Sequence, residues 1–235
     1  TRLEQGGGML GIPFPWAPLN KAGGLEPGTL TTIYAPSKNG KTWIALEIGA
    51  LYPFEHANAR CLIISMEMSV RQCFRRILSR LCRFDYSEVT EGRLPLDARD
   101  EKFDMLTDLQ EEQMEAMRSQ LSDNKNYRDI RVCKPRVAEG GGVNAVRAEI
   151  ERFRPDVVVV DGVYLMADDR KKGRRDSDWK TVANITQDLK RLADEKNIPI
   201  IVTNQSNRDG VKRKMDKNTD FDSYADMGFG LSAVQ

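Results

Sequence analysis

The sequence carries a single histidine, His56, among 235 residues. A histidine-based catalytic triad or a zinc site therefore has almost nothing to work with. Cysteine is also sparse: Cys61, Cys73, Cys82 and Cys133. No two of them are spaced as a metal knuckle or a Cys-x-x-Cys redox pair. Cys61 and Cys133 lie in apolar, strand-like stretches and read as buried free thiols. No apolar run is long enough to span a membrane, and the start lacks the basic–apolar–small pattern of a signal peptide. The expected setting is intracellular and reducing, with no membrane partner. An excess of one charge is missing too, since 36 Lys and Arg against 35 Asp and Glu leave a net charge of +1. Bulk charge thus announces no nucleic-acid partner, and any such partner has to be held by local basic patches.

What is present suffices for one substantial domain: 40% of residues are hydrophobic and 30% charged. The chain begins at Thr1 and stops at Gln235 inside what reads as a segment, so a fragment or excised domain is expected. Residues 1–28 are rich in Gly and Pro and read as an irregular approach segment. The main folded body is expected over 29–235. "TLTTIYA" (29–35) reads as a buried strand rich in β-branched residues. "KTWIALEIGALY" (41–52) has Ile44, Ala45, Ile48 and Leu51 at helical spacing. "RCLIISME" (60–67) is a second strand, followed by a helix over 69–83 with Ser69 as its N-cap. Residues 84–128 read as polar, solvated helices. "IRVCK" (130–134), "PDVVVVDGVYLM" (155–166) and "IPIIVTNQSN" (198–207) are further strands, separated by helices over 143–153 and 179–197. The alternation of strands and helices predicts an α/β domain with a mainly parallel central sheet and helices on both faces. No internal repeat and no second domain are evident.

The stretch "APSKNGKT" (35–42) joins the first strand to the first long helix. Loop amides and a helix start supply N–H donors for phosphate oxygens. On this reading Ser37, Lys38, Asn39, Gly40, Lys41 and Thr42 hold a nucleotide. Lys41 neutralises its β and γ phosphates, and Thr42 places a hydroxyl on Mg²⁺. Ala35 stands where the motif's first glycine is usual. Alanine serves there if its φ is negative, and Pro36 favours an extended conformation at the residue before it. The competing reading is a chance Gly-Lys-Thr at a helix start.

Phosphoryl transfer needs a metal, a positioned water and a charge sensor. Asp161 ends the "VVVV" run at the carboxyl edge of its strand, where ligands bind in open α/β sheets, and suits a Mg²⁺ carboxylate. Glu67, at the end of the second strand, suits the acid that polarises the attacking water. Gln205, at the end of the last strand, suits a γ-phosphate sensor. Each has a plainer alternative as a cap or an exposed turn residue, and the constellation is what favours the catalytic roles.

These segments resemble the RecA-fold motor domain of hexameric replicative DNA helicases, the DnaB-like group. The resemblance runs from about Gly11 to Gln235. "GGLEPGTLTTIYAPSKNGKTWIALEIG" is similar to that family's Walker A region, "LIISMEMS" to the strand carrying its catalytic glutamate (Glu67), and "PDVVVVDGVYLM" to its Walker B (Asp161). "LKRLADEKNIPIIVTNQSNR" is similar to the motif holding its sensor glutamine (Gln205), and "SYADMGFGLSAVQ" to the start of its fourth motif. There the usual charged and small polar residues are replaced by Gly228-Phe229-Gly230. The resemblance implies a RecA-like P-loop NTPase that uses ATP and Mg²⁺ to drive a ring of six subunits along single-stranded DNA. It also implies a primase or helicase-loader partner and a cytoplasmic site of action, in a bacterium or a virus-infected host cell. DNA is implied to pass two loops, "ADDRKKGRRDSD" (167–178) and "NRDGVKRKMDKN" (207–218). Both are basic, as phosphate contacts require. The candidates are Arg170, Lys171, Lys172, Arg174, Arg175, Lys212, Arg213 and Lys214; the alternative is ordinary solvated charge. In the family the arginine finger follows the point where this sequence stops. On that expectation the chain binds nucleotide and hydrolyses it poorly until another segment or a partner supplies the charge. Two other functions share the fold: a RecA- or clock-type ATPase switch, and a non-motor ATP-binding loader or scaffold.

Overall fold

The computed structural model describes residues 11–21, 23–81, 129–134, 141–170, 179–205 and 230–234. The expected polar helices over 84–128 lie outside the described residues, as do Cys82 and Gln235. The described elements run α1 (Ala17–Asn20), β1 (Leu30–Ala35), α2 (Lys41–Leu46), a π-helical turn (Glu47–Leu51), α3 (Tyr52–Ala57), β2 (Arg60–Ser65) and α4 (Val70–Leu81). They continue with β3 (Asp129–Cys133), α5 (Val143–Phe153), β4 (Val157–Asp161), a 3₁₀ turn (Val163–Leu165), α6 (Trp179–Lys196), β5 (Ile200–Gln205) and β6 (Gly230–Val234).

The strands form one sheet in the order β3-β2-β4-β5-β1-β6. The first five are parallel, and β6 pairs antiparallel with β1. That sixth strand, within the segment resembling a fourth motif, is not apparent in the sequence. β4 and β5 are each shorter than their apolar runs, because Gly162 and Pro199 fall outside the ladder.

Side chains alternate across each strand, so one apolar run feeds two cores. Ile33, Cys61, Ile63, Val157, Val159 and Ile201 face a core shared with the helical run from α2 to α4. Leu30, Leu62, Ile64, Val158, Val160, Ile200 and Val202 face a second core capped by α5 and α6. The sheet is thus covered on both faces, which is why its strands read as continuous apolar runs rather than alternating ones. The approach segment contributes to the first core: Ile12 and Leu25 form an antiparallel bridge, and both are buried beside Phe14. Cys61 is buried as expected, whereas Cys133, on the edge strand β3, is only half-buried.

The helix after the 35–40 loop departs from the expected regular spacing. It passes through a π turn, in which the Tyr52 N–H donates to the Glu47 carbonyl. Pro53 follows directly; it has no N–H to donate to the preceding turn, and the wider turn absorbs that break. Arg80 of α4 ties down the same turn, donating through both Nε and Nη2 to the Glu47 carboxylate at 2.9 Å. Gly49 lies at the closest approach of this turn to the sheet. A Cβ there would stand 2.4 Å from Val159 Cγ2 and 2.8 Å from Ile201 Cδ1.

Gly49→Ala should therefore destabilise the fold despite alanine's better helix propensity. The overpacking cost of about 1–3 kcal/mol exceeds a propensity gain of about 1 kcal/mol. A lowered urea midpoint at unchanged slope is the expected readout.

Candidate active site

The carboxyl ends of the parallel strands converge on one edge of the sheet. In register, Ala35 of β1 faces Gln205 of β5, and Ser65 of β2 faces Asp161 of β4. Each strand therefore delivers its last residues to the same crevice, the place where open α/β sheets bind ligands.

Ala35 is buried in the extended β1 strand and is absent from the positive-φ residues, so alanine meets no strain there. The loop that follows takes two left-handed steps, at Lys38 (φ 66°) and Gly40 (φ 77°). Nothing lies within 4 Å of the position a Gly40 Cβ would take. Within this chain, then, the glycine answers to its φ rather than to crowding. The Ile44 N–H donates to the Gly40 carbonyl and starts the helix. Lys41 is only 6% exposed. Its Nζ lies 3.1 Å from the Pro36 carbonyl, which accepts its hydrogen bond among the described residues. An ammonium has three donors, and a buried cation with one neutral acceptor is suited to an anion inside the loop.

Thr42 follows and donates its hydroxyl to Asp161, 3.1 Å from Oδ1 and 3.3 Å from Oδ2. Asp161 is 1% exposed. Burial pushes its carboxyl above the ordinary aspartate range. Hydrogen bonds from Thr203 and Thr42 pull it back, the Glu67 charge adds to the rise, and Arg76 opposes it. Among the described residues no cluster of three or more His, Cys, Asp or Glu could hold a metal. Oxygen donors from one hydroxyl and one carboxylate, with phosphates and water to complete the set, match the way Mg²⁺ is bound. The residues present fit a Mg²⁺–nucleotide.

Glu67 sits two residues beyond the end of β2, in a tight bend, rather than within the strand as its sequence suggests. Both sides of that bend are fixed. The Met66 N–H donates to the Asp161 carbonyl at 2.8 Å, and the Met68 N–H donates to Ser65 Oγ at 3.0 Å. Ser69 and Gln72 then form a reciprocal capping box: Gln72 N–H to Ser69 Oγ, and Ser69 N–H to Gln72 Oε1. The Glu67 carboxylate itself is exposed and accepts a hydrogen bond from the Tyr164 hydroxyl at 2.9 Å. Burial, then that hydrogen bond, push the Tyr164 phenol well above its ordinary range. Arg76, nearly two helical turns into α4, stacks over the Trp43 ring at 5.1 Å.

Two residues of this site escape the sequence reading. Thr203, fully buried, donates to Asp161 Oδ1 at 2.8 Å; its trace in the sequence is one polar residue inside an apolar strand. Tyr164 has no such trace, since it lies in what reads as a strand. Of the eight basic candidates, Arg170 lies in a turn before α6, and its Nη2 donates to both oxygens of Asp188 on α6 at 2.6 and 2.8 Å. Lys171, Lys172, Arg174, Arg175, Lys212, Arg213 and Lys214 lie outside the described residues.

Comparison with known proteins bears on the family and the fold. The family model for the DnaB-like helicase C terminal domain matches residues 11–222. The replicative DNA helicase DnaB of Haemophilus influenzae is 25% identical over 214 residues, covering 88% of this chain and 41% of the relative. That of Buchnera aphidicola subsp. Schizaphis graminum is 26% identical over 220 residues, covering 92% of this chain and 43% of the relative. The chain thus spans about two fifths of the length of the curated relatives it matches. A solved structure described as a DnaB-like replicative helicase and its interactions with primase superposes with a TM-score of 0.66 at 18% identity, over 92% of this chain and 48% of that one. It supports the RecA-like fold.

Gly40→Ala should cost about 1–2 kcal/mol, the penalty for an L-residue in the left-handed region. Gly40→Asn should cost less, because asparagine tolerates that region. Urea unfolding of both variants measures the difference, which crowding alone would reverse in favour of the smaller alanine.

Proposed function

This chain belongs to the DnaB-like helicase C terminal domain family, and from that premise we propose that it is the motor of an ATP-dependent replicative DNA helicase. It couples ATP hydrolysis to translocation on single-stranded DNA and to duplex unwinding. The observation that carries this reading is the meeting of a buried cation (Lys41), a hydroxyl–carboxylate pair (Thr42 with Asp161), an exposed acid (Glu67) and an amide (Gln205) at one sheet edge.

In this reading Lys41 gives up its bond to the Pro36 carbonyl and places its charge on the β and γ phosphates. Thr42 and Asp161 hold Mg²⁺, which when bound offsets negative charge on the phosphates. Ser37, Lys38, Asn39 and Gly40 present loop amides and shape. Glu67, on its braced bend, orients the attacking water and accepts its proton. Gln205 contacts the γ phosphate and, being in register with Ala35, moves with the loop's own strand. The partners are single-stranded DNA, further copies of the chain in a ring of six, and a primase or helicase loader. The arginines and lysines in 171–178 and 207–218 take the DNA phosphates; Arg170 contributes less, because Asp188 already engages its charge.

An ATPase assay with and without single-stranded DNA tests the reading, and stimulation by DNA is the expected result. Lys41→Ala should lower turnover by roughly 100-fold or more, as loss of a fixed charge on the transition state does. Glu67→Gln should retain ATP binding and lose about 10²–10⁴ in rate. Full activity in both variants would remove the active site from this crevice. Replacing Arg174 and Arg175 by alanine should weaken single-strand binding and make its salt dependence shallower, by about 0.7 in log–log slope per lost phosphate contact. An unchanged slope returns that loop to solvated charge.

A further inference from the structure

Strands β4 and β5 are paired by backbone through Val158↔Ile200, Val159↔Ile201 and Val160↔Val202. At the next step the ladder stops, and a side chain takes its place. The Gly162 N–H donates to Thr203 Oγ1 at 2.8 Å instead of to a strand carbonyl. An amide can only donate, so Thr203 accepts there and its own hydroxyl proton goes to the other partner, Asp161 Oδ1, also at 2.8 Å. The direction of both bonds is therefore set. Thr203 is 0% exposed and Asp161 1%, so water does not compete for either. Two residues further along β5, Gln205 faces Ala35 at the root of the phosphate loop.

We propose that Thr203 is a positioning residue for the metal-side carboxylate. It holds Asp161 Oδ1 as an acceptor and clasps β4 to the strand that ends in Gln205. A displacement of β5 at Gln205 is then passed to Asp161 through one hydroxyl, without a contact between the two residues. Thr42 alone does not secure this arrangement, because it rides on the helix and is the group that turns toward Mg²⁺. The inference rests on the nucleotide site proposed above.

The test compares the affinity of the full chain for a fluorescent ADP analogue in Mg²⁺ and in EDTA. Thr203→Val keeps the shape and removes the hydroxyl. It should reduce the Mg²⁺-dependent gain in affinity about tenfold, as loss of a metal site's supporting hydrogen bond does, and leave the EDTA affinity within about twofold. Thr203→Ser should retain the gain. Without any nucleotide, the Gly162 amide should exchange its hydrogen faster in the valine variant than in the serine one. If valine prevents folding, Thr203→Cys, close in shape and a weak donor, should show the same reduced gain. A full Mg²⁺ gain in the valine or cysteine variant, or an equal loss in the serine variant, overturns this inference alone. No nucleotide binding by the unaltered chain overturns the proposed function and this inference with it.

Discussion

Two charged groups, Lys41 and Asp161, are buried at the carboxyl edge of a sheet whose other buried side chains are uncharged. Ionised groups withdrawn from water are tolerated only with fixed partners, and the surroundings of the site supply them. Lys41 curls onto its own loop, which must turn left-handed at Lys38 and Gly40 to bring the Pro36 carbonyl within reach. Asp161 draws one hydroxyl from the start of α2 and one from β5. Those two bonds join three separate pieces of the chain, so the carboxylate's need for donors also sets the spacing between the loop helix, β4 and β5. The packing behind them has to match. Gly49 lets the π turn settle onto Val159 and Ile201, directly beneath the strands that carry these groups.

Much of this was legible in the sequence, for identifiable reasons. A strand buried on both faces is a run of apolar β-branched residues, and "VVVV" or "IPIIV" admits few other readings. An acid or amide that ends such a run has to lie at the sheet's edge, which located Asp161 and Gln205. The strand–loop–helix unit around residues 35–42 is local and therefore visible. What sequence could not give was pairing between distant segments. Strand order, β6 beside β1, and the Thr203–Asp161 bond all depend on which strands become neighbours. Glu67 was placed on a strand end because "IISME" is continuous in character, whereas Ser65 uses its hydroxyl to turn the chain two residues earlier. The π turn was hidden for another reason: Pro53 marks a break in the helical ladder, and only tertiary contacts decide whether the helix ends or widens there.

The basic stretch after β4 begins from an acidic root. Asp169 accepts the Asn144 N–H at the start of α5 and fills the space next to Gly142. Asp168, buried, accepts from the Arg170 N–H and from Asn184 of α6. The Ala167 N–H donates to the Gly141 carbonyl. Residues 167–170 are thus fastened to both helices on one face of the sheet. The "DDR" that read as the start of a charged loop is its anchor.

The strand order also governs when the site is assembled. β1 and the loop after it precede the other strands, yet the strands flanking β1 are β5 and β6, the last two described. Contacts of such long sequence separation are slow to form, because loop closure must be accomplished before they contribute stability. During synthesis β2, β3 and β4 can pair while β1 still lacks both neighbours. The crevice then closes late, as β5 slots between β4 and β1 and brings Thr203 and Gln205 with it. A newly made chain can hold its apolar layers together before the crevice exists, so on the proposed function bound nucleotide would mark the molecules in which that final insertion is complete.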